Sequence, residues 1–304
     1  MRSAGAHRSG RLSRHPLPSS DIWSFRRARL LLFASIIRSS SSEPRSTHLL
    51  AAEAAGVAKP TLLAEAIWAS IQSKMHMLDA YTRLRNPKYN DGHWGIASDH
   101  GRFKYGTAKT SFIFEQLMKA QAAGRLPRYP VTCEAGFNAG HSAILFLDAV
   151  PTGRHFEFSF GQASVNPYEP QNAAMFAAVY KQRFTYTWGD TNQTLREFAK
   201  NESNKCDVIF VDGAKGIDGR KNDLLLFREA SKPGALVFGD EANTPECMSG
   251  EVDRSHPKCA MVNFNTEWAY NDLVRSGFLK YEGCSKEKKI GAPRDLVCLW
   301  TFAQ

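Results

Sequence analysis

The sequence predicts an α/β fold: a doubly wound, mostly parallel β-sheet with a C-terminal antiparallel strand pair and an N-terminal helical cap. From residue 131 onward, short apolar runs alternate with amphipathic runs of helical periodicity. Several short runs, such as "VIFV" at 208–211, are apolar throughout, which is typical of parallel strands buried on both faces. After residue 265 one helical run is followed by two strand-like runs, which predicts the antiparallel pair.

Two helices are expected ahead of the sheet. The first covers 60–84, with Pro60 in its first turn and apolar residues every three or four positions. The second covers 110–124 and ends at Gly124, a suitable C-cap residue. Between them, 86–106 is a loop of glycine, aromatic and histidine residues, and we expect its part at 92–106 to cover the cleft as a lid.

The elements of the sheet follow in order. The predicted strands are 131–135, 155–160, 184–188, 206–212, 235–240, 279–284 and 295–303. The predicted helices between them are 141–150, 170–182, 192–200, 220–231 and 267–278. Pro233 and Gly234 predict a turn just before the fifth strand. This succession of strands and crossover helices is that of a Rossmann-like fold.

The formal net charge of +9 is concentrated near the N-terminus. Residues 1–50 hold nine arginines and only two acidic residues, which leaves the rest of the chain close to neutral. We therefore expect no groove that binds nucleic acid. The arginine- and serine-rich leader is typical of a transit peptide for an organelle, a mitochondrion or plastid. A secretory signal with "LLLFASII" at 30–37 as its apolar part is the alternative, and an incorrectly assigned start codon is a third.

No apolar run reaches the length of a membrane-spanning helix, so no transmembrane segment is expected. Three of the six cysteines, Cys133, Cys206 and Cys298, lie in strand-like runs and are predicted to be buried thiols. Cys247 and Cys259 would pair in an oxidising compartment, but free thiols are our prediction for the chain. The cysteine spacing does not indicate a zinc site.

A glycine turn follows the first predicted strand. In "VTCEAGFNAGHSA" the pattern is E-x-G-x-x-x-G-x-S, formed by Glu134, Gly136, Gly140 and Ser142. Glycines allow a ligand to approach the backbone, and the next helix presents free N–H groups there. The spacing differs from the dinucleotide-binding G-x-G-x-x-G, which disfavours a nucleotide-dependent oxidoreductase. A tight turn that binds nothing remains the alternative.

Acidic residues stand at the ends of two neighbouring strands. Asp212 ends the fourth strand, and Asp240 and Glu241 end the fifth. At the carboxyl edge of a parallel sheet they would face the same cleft as the glycine turn. A divalent cation such as Mg²⁺ between them would relieve their repulsion. The alternative is that they, and Lys215, are ordinary polar residues at strand ends.

These motifs resemble the class I methyltransferases that use S-adenosyl-L-methionine. The resemblance covers about residues 90–304 and rests on "EAGFNAGHSA", "VIFVDGAKG" and "LVFGDE". The glycine turn is similar to that of the small-molecule branch, in which catechol-type O-methyltransferases hold a divalent ion with acids at these strand ends. The segment "GFNAGHSA" resembles more closely a methyltransferase-24-like group, in which a histidine often stands at the position of Lys215.

The resemblance implies roles for individual residues. Gly136, Asn138, Gly140 and Ser142 would surround the methionine part of the cofactor, with Glu134 anchoring the turn. Asp212, Asp240 and Glu241 would bind the metal, and Asp212 would also border the cofactor. Lys215 would take the proton of the acceptor hydroxyl. Asp190 and Thr191 would lie near the adenine, although either could instead cap the following helix.

The chain departs from the family at the end of the second strand. The family has an acidic residue that binds both ribose hydroxyls, but here Gly161 takes that place and Gln162 is the expected substitute. Loss of such charge-assisted hydrogen bonds costs about 1.5–3 kcal/mol of binding.

The predicted organisation has three parts. These are a leader at 1–50, a helical cap with the lid loop at 51–128, and a methyltransferase-like catalytic domain at 129–304. The expected function, as the resemblance implies, is S-adenosylmethionine-dependent methylation of a small-molecule acceptor at oxygen, with help from a divalent metal. A catalytically degenerate binding or assembly protein is the alternative. Whether the protein forms a homodimer is left open.

Overall fold

The computed structural model describes residues 60–86, 108–160, 166–201, 205–259, 265–285 and 296–303. Their strands form one seven-stranded sheet in the order β3-β2-β1-β4-β5-β7-β6. The strands are β1 Val131–Ala135, β2 Arg154–Ser159, β3 Phe184–Trp188, β4 Cys206–Val211, β5 Ser231–Ala242, β6 Leu279–Cys284 and β7 Leu296–Phe302. The helices are α1 Pro60–Arg85, α2 Ala108–Ala122, α3 His141–Ala149, α4 Glu169–Tyr180, α5 Thr191–Ala199, α6 Ile217–Glu229, α7 Pro245–Met248 and α8 Thr266–Arg275.

The sheet confirms the predicted fold class. Strands β1 to β5 pair in parallel, and β7 runs antiparallel between β5 and β6. Strand β1 lies between β2 and β4, so its carboxyl end stands at the middle of the sheet edge. That is the place where ligands bind in doubly wound sheets, because crossover connections diverge there.

Helices cover both faces of the sheet. On one face, Phe146 of α3 packs against Phe210 and Phe238, with ring centroids 5.8 and 6.5 Å apart. On the other face, a core that includes Leu224 and Phe227 of α6 packs on alternate strand residues. Side chains of successive strand residues point to opposite faces, so continuously apolar strands supply both cores.

The two N-terminal helices contact α3. Lys74 of α1 forms a 2.7 Å ion pair with Asp148, and Gln121 of α2 donates a 2.9 Å hydrogen bond to the carbonyl of Ala149. Phe112 of α2 also packs edge-on against Phe238 of β5, with ring centroids 6.4 Å apart. The predicted boundaries at 50 and 128 remain predictions, and the leader and the lid loop at 92–106 lie outside the described residues. Among the described residues, no helix is long and apolar enough to cross a membrane.

Strand β5 begins earlier than predicted. Cys206 pairs with Ser231, and the register shifts before Val208 pairs with Leu236. Pro233 and Gly234 therefore form an irregularity inside the strand rather than a turn ahead of it. A bulge absorbs the residues that cannot join the ladder, and Gly234 supplies the positive φ of 78°.

The prediction of free thiols was wrong. All six cysteines are paired, as Cys133–Cys206, Cys247–Cys259 and Cys284–Cys298. The second pair is the one that the sequence left open for an oxidising compartment. The first joins β1 to β4, 73 residues apart, and the third joins residues directly opposite each other on β6 and β7. Which buried cysteines lie on neighbouring strands can be recognised only when the strand order is known.

Candidate active site

The glycine turn packs directly against the end of β4. Gly136 has a φ of 111°, and a Cβ atom there would lie 2.8 Å from the carbonyl carbon and oxygen of Asp212. The backbone N–H of Asp212 donates to the carbonyl of Ala135 at 2.9 Å, and that of Gly136 donates to Phe158 at 3.0 Å. The turn and the acidic strand end therefore border the same point of the sheet edge, as the sequence predicted.

Glycine is required at position 140 for a different structural reason. It precedes α3 with a φ of 96°, and a Cβ atom there would lie 2.7 Å from the ring of Phe137 and 2.9 Å from that of Phe176. Phe137 is buried beneath the turn, edge-on to Phe176 and Tyr186 with centroids 5.3 and 5.2 Å apart. Aromatic packing under the turn thus requires glycine whether or not a ligand lies above it.

Three polar side chains expected at the cofactor have partners within the protein. The hydroxyl of Ser142 donates to Oε1 of Glu134, which is fully buried. The amide oxygen of Asn138 accepts a 2.6 Å hydrogen bond from Tyr168. Ser142 and Glu134 thus connect the start of α3 to the end of β1, consistent with the expected anchoring role of Glu134. The roles of all three toward a cofactor remain predictions.

The three acids at the strand ends are each paired with a cation of the chain. Lys215 lies 2.9 Å from Asp212 and 2.9 Å from Glu241. Lys109 of α2 lies 2.6 Å from Asp240, and fully buried Arg220 of α6 lies 3.1 Å from Glu241. The structure therefore brings together Asp212, Asp240, Glu241 and Lys215, and it adds two cations that sequence reasoning missed.

No sequence pattern indicates a role for Lys109 or Arg220 at the strand ends. Lys109 is 131 residues from Asp240 and stands in the first turn of a helix that was assigned only to the cap. Arg220 stands within an amphipathic helix, where arginine is usually exposed. Only the packing of α2 and α6 against the sheet edge brings their side chains to the acids.

This arrangement does not fit the expected magnesium site. Three carboxylates face three cations, so the repulsion that a metal ion would relieve is already balanced. In the part of the chain that the structure describes, the group of metal-ligating side chains that comes close together is a different one, Glu134, His155 and Glu157. We therefore derive no chemistry from a metal at Asp212, Asp240 and Glu241.

The local electrostatics distinguish the two acids nearest the turn. Burial raises the pKa of Asp212 to about 7, against the lowering effect of Lys215 and with a further raise from Asp240 and Glu241. Burial also opposes ionisation of Asp240, but Lys109 brings the pKa of Asp240 below its usual value. Burial lowers the pKa of Lys215, yet the neighbouring carboxylates outweigh it and the net shift is upward. Lys215 is thus charged at neutral pH, and Asp212 is the group that can take up a proton there.

The two polar residues of the loop after β3 both have partners within the protein. Asp190 caps α5 and accepts a 2.9 Å hydrogen bond from the N–H of Asn192. Thr191 donates to Asp223 at 2.7 Å, and Asp223 accepts from the N–H of Ala214 at 3.3 Å. These bonds hold the loop after β3 against the loop after β4. Gly161 and Gln162 lie outside the described residues.

A separate surface pocket of about 570 Å³ is lined mainly by residues of α6, with Arg196 of α5. Its lining includes Lys205, which precedes β4, whereas Asp212 follows that strand. It is therefore not part of the candidate site.

A family model matches the segment that holds the glycine turn and the acids at the strand ends. Residues 133–242 match a family model described as a methyltransferase domain. The match covers roughly a third of the chain, from the first strand of the sheet to the end of the fifth, and it confirms the predicted relationship over that segment. It includes Glu134, the glycine turn and all three acids at the strand ends.

Solved structures with similar folds include two O-methyltransferases. The enzyme TomG from Streptomyces achromogenes, involved in tomaymycin synthesis and solved with SAM, is 17% identical, with 62% of this chain and 80% of that chain covered and a TM-score of 0.45. The O-methyltransferase from Bacillus cereus, solved with SAH, is 12% identical over 62% and 90% of the two chains, with a TM-score of 0.41. Cofactor-bound Rv0187 from MTB is 11% identical over 86% and 98%, with a TM-score of 0.46. Similarity at this level is no basis for a substrate.

No protein with a curated description matches the sequence.

Proposed function

We propose that this protein is an S-adenosylmethionine-dependent O-methyltransferase that acts on a small-molecule hydroxyl without a metal ion at the strand ends. The observation that carries the proposal is the contact between Gly136 and the backbone of Asp212, which leaves no room for a side chain. It joins the glycine turn to an acid of raised pKa at one point of the sheet edge.

The described residues fit the cofactor in their chemistry. When bound, S-adenosylmethionine supplies an electrophilic methyl group on a sulfonium centre. Backbone N–H groups at the start of α3 suit its carboxylate, and the glycines let it approach the turn. Gly136, Asn138 and Gly140 would line the methionine part, with Glu134 and Ser142 holding the turn from below. Asp190 and Thr191 support the adenine side through the loop that they organise.

Asp212 is the proton acceptor in this proposal. The Asp212 carboxylate would take the proton of the acceptor hydroxyl as that oxygen attacks the methyl group that the cofactor supplies, and the sulfur of the cofactor would keep the electron pair of the broken bond. Asp212 would then release the proton to water. A pKa of about 7 leaves a useful fraction of Asp212 ionised at neutral pH while keeping it basic.

In this proposal the three cations provide the charge stabilisation that was expected of Mg²⁺. Lys215 remains an ammonium group and stabilises negative charge that develops on the acceptor oxygen. Lys109 and Arg220 hold Asp240 and Glu241, so the acids that would otherwise bind a metal are fixed in place. Lys215 is therefore an electrostatic residue in this proposal rather than the base that the resemblance implied.

Turnover assays test the proposal. With a panel of phenolic and aliphatic hydroxyl compounds, methyl transfer should be unchanged by a chelator and abolished by Asp212→Ala. The matched control is Asp272→Ala, which removes an acid paired with a lysine on the surface. Activity that disappears with chelation and returns with Mg²⁺ would contradict the metal-independent site, and an active Asp212→Ala variant would contradict the role of Asp212.

A binding or assembly protein is the second candidate. Gly161 in place of the ribose-binding acid motivates it. If the protein binds the cofactor but transfers no methyl group to any compound in the panel, this candidate is favoured.

The disulfides support an oxidising compartment. Three disulfides persist poorly in a reducing cytosol or in an organelle matrix. We therefore place the protein in the secretory pathway, with the arginine-rich leader acting as a signal rather than as the transit peptide first expected. Expression of the full chain with a C-terminal fluorescent tag would locate it.

A further inference from the structure

A buried cluster of three ionisable side chains lies beneath the glycine turn. Glu134 of β1 is directly opposite Glu157 of β2, and His155 stands two residues earlier on β2, on the same face. All three side chains are almost completely excluded from solvent. Nε2 of His155 lies 3.3 Å from Oε2 of Glu134 and 3.5 Å from Oε2 of Glu157.

The hydrogen-bonding groups around His155 suit a metal-binding ring. Thr132 Oγ1 lies 2.8 Å from Nδ1 of His155 and 3.2 Å from the carbonyl oxygen of Arg154. When the Thr132 hydroxyl donates to that carbonyl, it accepts from Nδ1, and the neutral ring presents the lone pair of Nε2 to the two carboxylates.

The atoms that face one another are then all electron donors. Nε2 of His155, Oε2 of Glu134 and both carboxylate oxygens of Glu157 lack a hydrogen bond of ordinary geometry. Unpaired polar atoms at such depth cost free energy unless a cation or a proton joins them.

We propose that Glu134, His155 and Glu157 bind a divalent transition-metal ion, with Zn²⁺ as the best fit. The two distances from Nε2 of His155 match, because ligands about 2.0–2.1 Å from a tetrahedral zinc ion lie about 3.3 Å from one another, and all three ligand atoms lie within 4.8 Å of one another. A histidine nitrogen with two carboxylates suits zinc better than magnesium or calcium. The bond from Nδ1 to Thr132 is the outer contact that commonly fixes a metal-binding histidine.

The surroundings fix the orientation of the ligands. His155 is stacked between Phe146 and Phe184, with centroids 5.8 and 6.0 Å away and interplanar angles of 11°. Ser142 holds the other oxygen of Glu134. A metal ion here would fasten β1 to β2 two residues before the glycine turn, and it would be structural because solvent does not reach it. It is distinct from the acids at the strand ends.

Metal analysis of the full-length protein tests the proposal. The protein is purified without a histidine tag, dialysed against a chelator and analysed by inductively coupled plasma mass spectrometry. We expect about one zinc per chain, retained through dialysis. The Glu157→Gln variant should lose the zinc and melt at a lower temperature. The matched control, Glu169→Gln, changes another buried glutamate, which accepts a 2.7 Å hydrogen bond from Tyr186, and it should keep the metal.

Two further results decide between a metal ion and a shared proton. Thr132→Val removes only the outer contact and should weaken zinc binding about 10- to 100-fold, measured by competition with a chromophoric chelator. A folded wild type without zinc, even after refolding with Zn²⁺, overturns the proposal. So does a Glu157→Gln variant that melts at the same or a higher temperature, because a neutral side chain suits a site that holds only protons. Retention of zinc by Glu157→Gln places the metal elsewhere and overturns it as well. None of these results depends on cofactor binding.

Discussion

The side chain of Asp212 is the residue on which the proposed chemistry depends. It is the acid closest to the glycine turn, and burial raises its pKa to about 7 while Lys215 opposes that shift. Asp240, by contrast, is held ionised by Lys109. Two carboxylates at one sheet edge thus differ in proton affinity because their cationic partners differ.

The first prediction concerns the pH dependence of methyl transfer. If Asp212 must be ionised to accept the proton, kcat/KM rises with pH through about 7 and then levels off. Lys215 lowers the pKa of Asp212, so Lys215→Met should move the midpoint to higher pH as well as reduce the rate. The measurement is kcat/KM against pH for both proteins.

A control exists on the protein surface. Lys200 pairs with Glu197 at the same three-residue spacing, but both side chains are mostly exposed. Lys200→Met should leave the midpoint where it is in the wild type. A Lys215→Met midpoint that stays in place or moves downward contradicts the assignment of Asp212 as the base.

Some of these residues could be predicted from the sequence because their position at the end of a strand can be recognised. Asp212, Asp240 and Glu241 follow apolar strand runs, and acids at such ends meet at one edge of a parallel sheet. Lys109, Arg220 and His155 could not be found in this way. Their roles depend on how a helix or a neighbouring strand packs, and a single sequence does not contain that information.

At the scale of the element, the glycine turn is the part that tolerates least change. Gly136→Ala would place a Cβ atom 2.8 Å from the backbone of Asp212, at a φ of 111°. We expect it to abolish cofactor binding and to lower the stability of the fold, because neither backbone segment can move without breaking the hydrogen bonds between them. The measurements are thermal unfolding and titration with S-adenosylmethionine.

Gly234→Ala separates backbone strain from lack of space. Gly234 also has a positive φ, 78°, but a Cβ atom there would meet nothing within 4 Å. This variant should lose only about 1–2 kcal/mol of stability and should bind the cofactor normally. Equal behaviour of the two variants would show that the close contact with Asp212 is unimportant.

The strands and helices themselves were largely predictable. Strands β1, β3 and β6 have the predicted bounds, because runs of apolar or β-branched residues are bordered by turn residues. Strand β5 differed because Pro233 and Gly234, which usually mark a turn, are accommodated by a bulge. Local sequence does not distinguish a turn from a bulge when both need the same residues.

The disulfides connect separate elements and give the next prediction. Under denaturing, non-reducing conditions, a thiol-specific label should find no free cysteine, and after reduction it should find all six. Removal of the Cys133–Cys206 bond by double substitution to alanine should cost about 4 kcal/mol in the loop-entropy treatment, because it closes a loop of 73 residues. Chemical denaturation measures that loss.

Complete labelling of six thiols without reductant would contradict the pairing and with it the proposed compartment. The shorter Cys284–Cys298 loop, 14 residues, serves as the comparison and should cost less, about 3 kcal/mol.

At the scale of the whole molecule, the order of strands could be inferred only through the resemblance to class I methyltransferases. Alternation of strands and helices predicts a parallel sheet, but it does not say which strands are neighbours. Because β1 lies between β2 and β4, several features that are far apart in the sequence lie close together in the structure. The glycine turn meets Asp212, Cys133 meets Cys206, and Glu134 meets Glu157.

Isothermal titration of the full-length protein with S-adenosylmethionine tests the account most directly. We predict one binding event per chain that a chelator leaves unchanged and that Gly136→Ala abolishes. Absence of binding at high micromolar cofactor, in protein that is folded by its thermal transition, would show that the glycine turn and the acids at the strand ends are not a cofactor site.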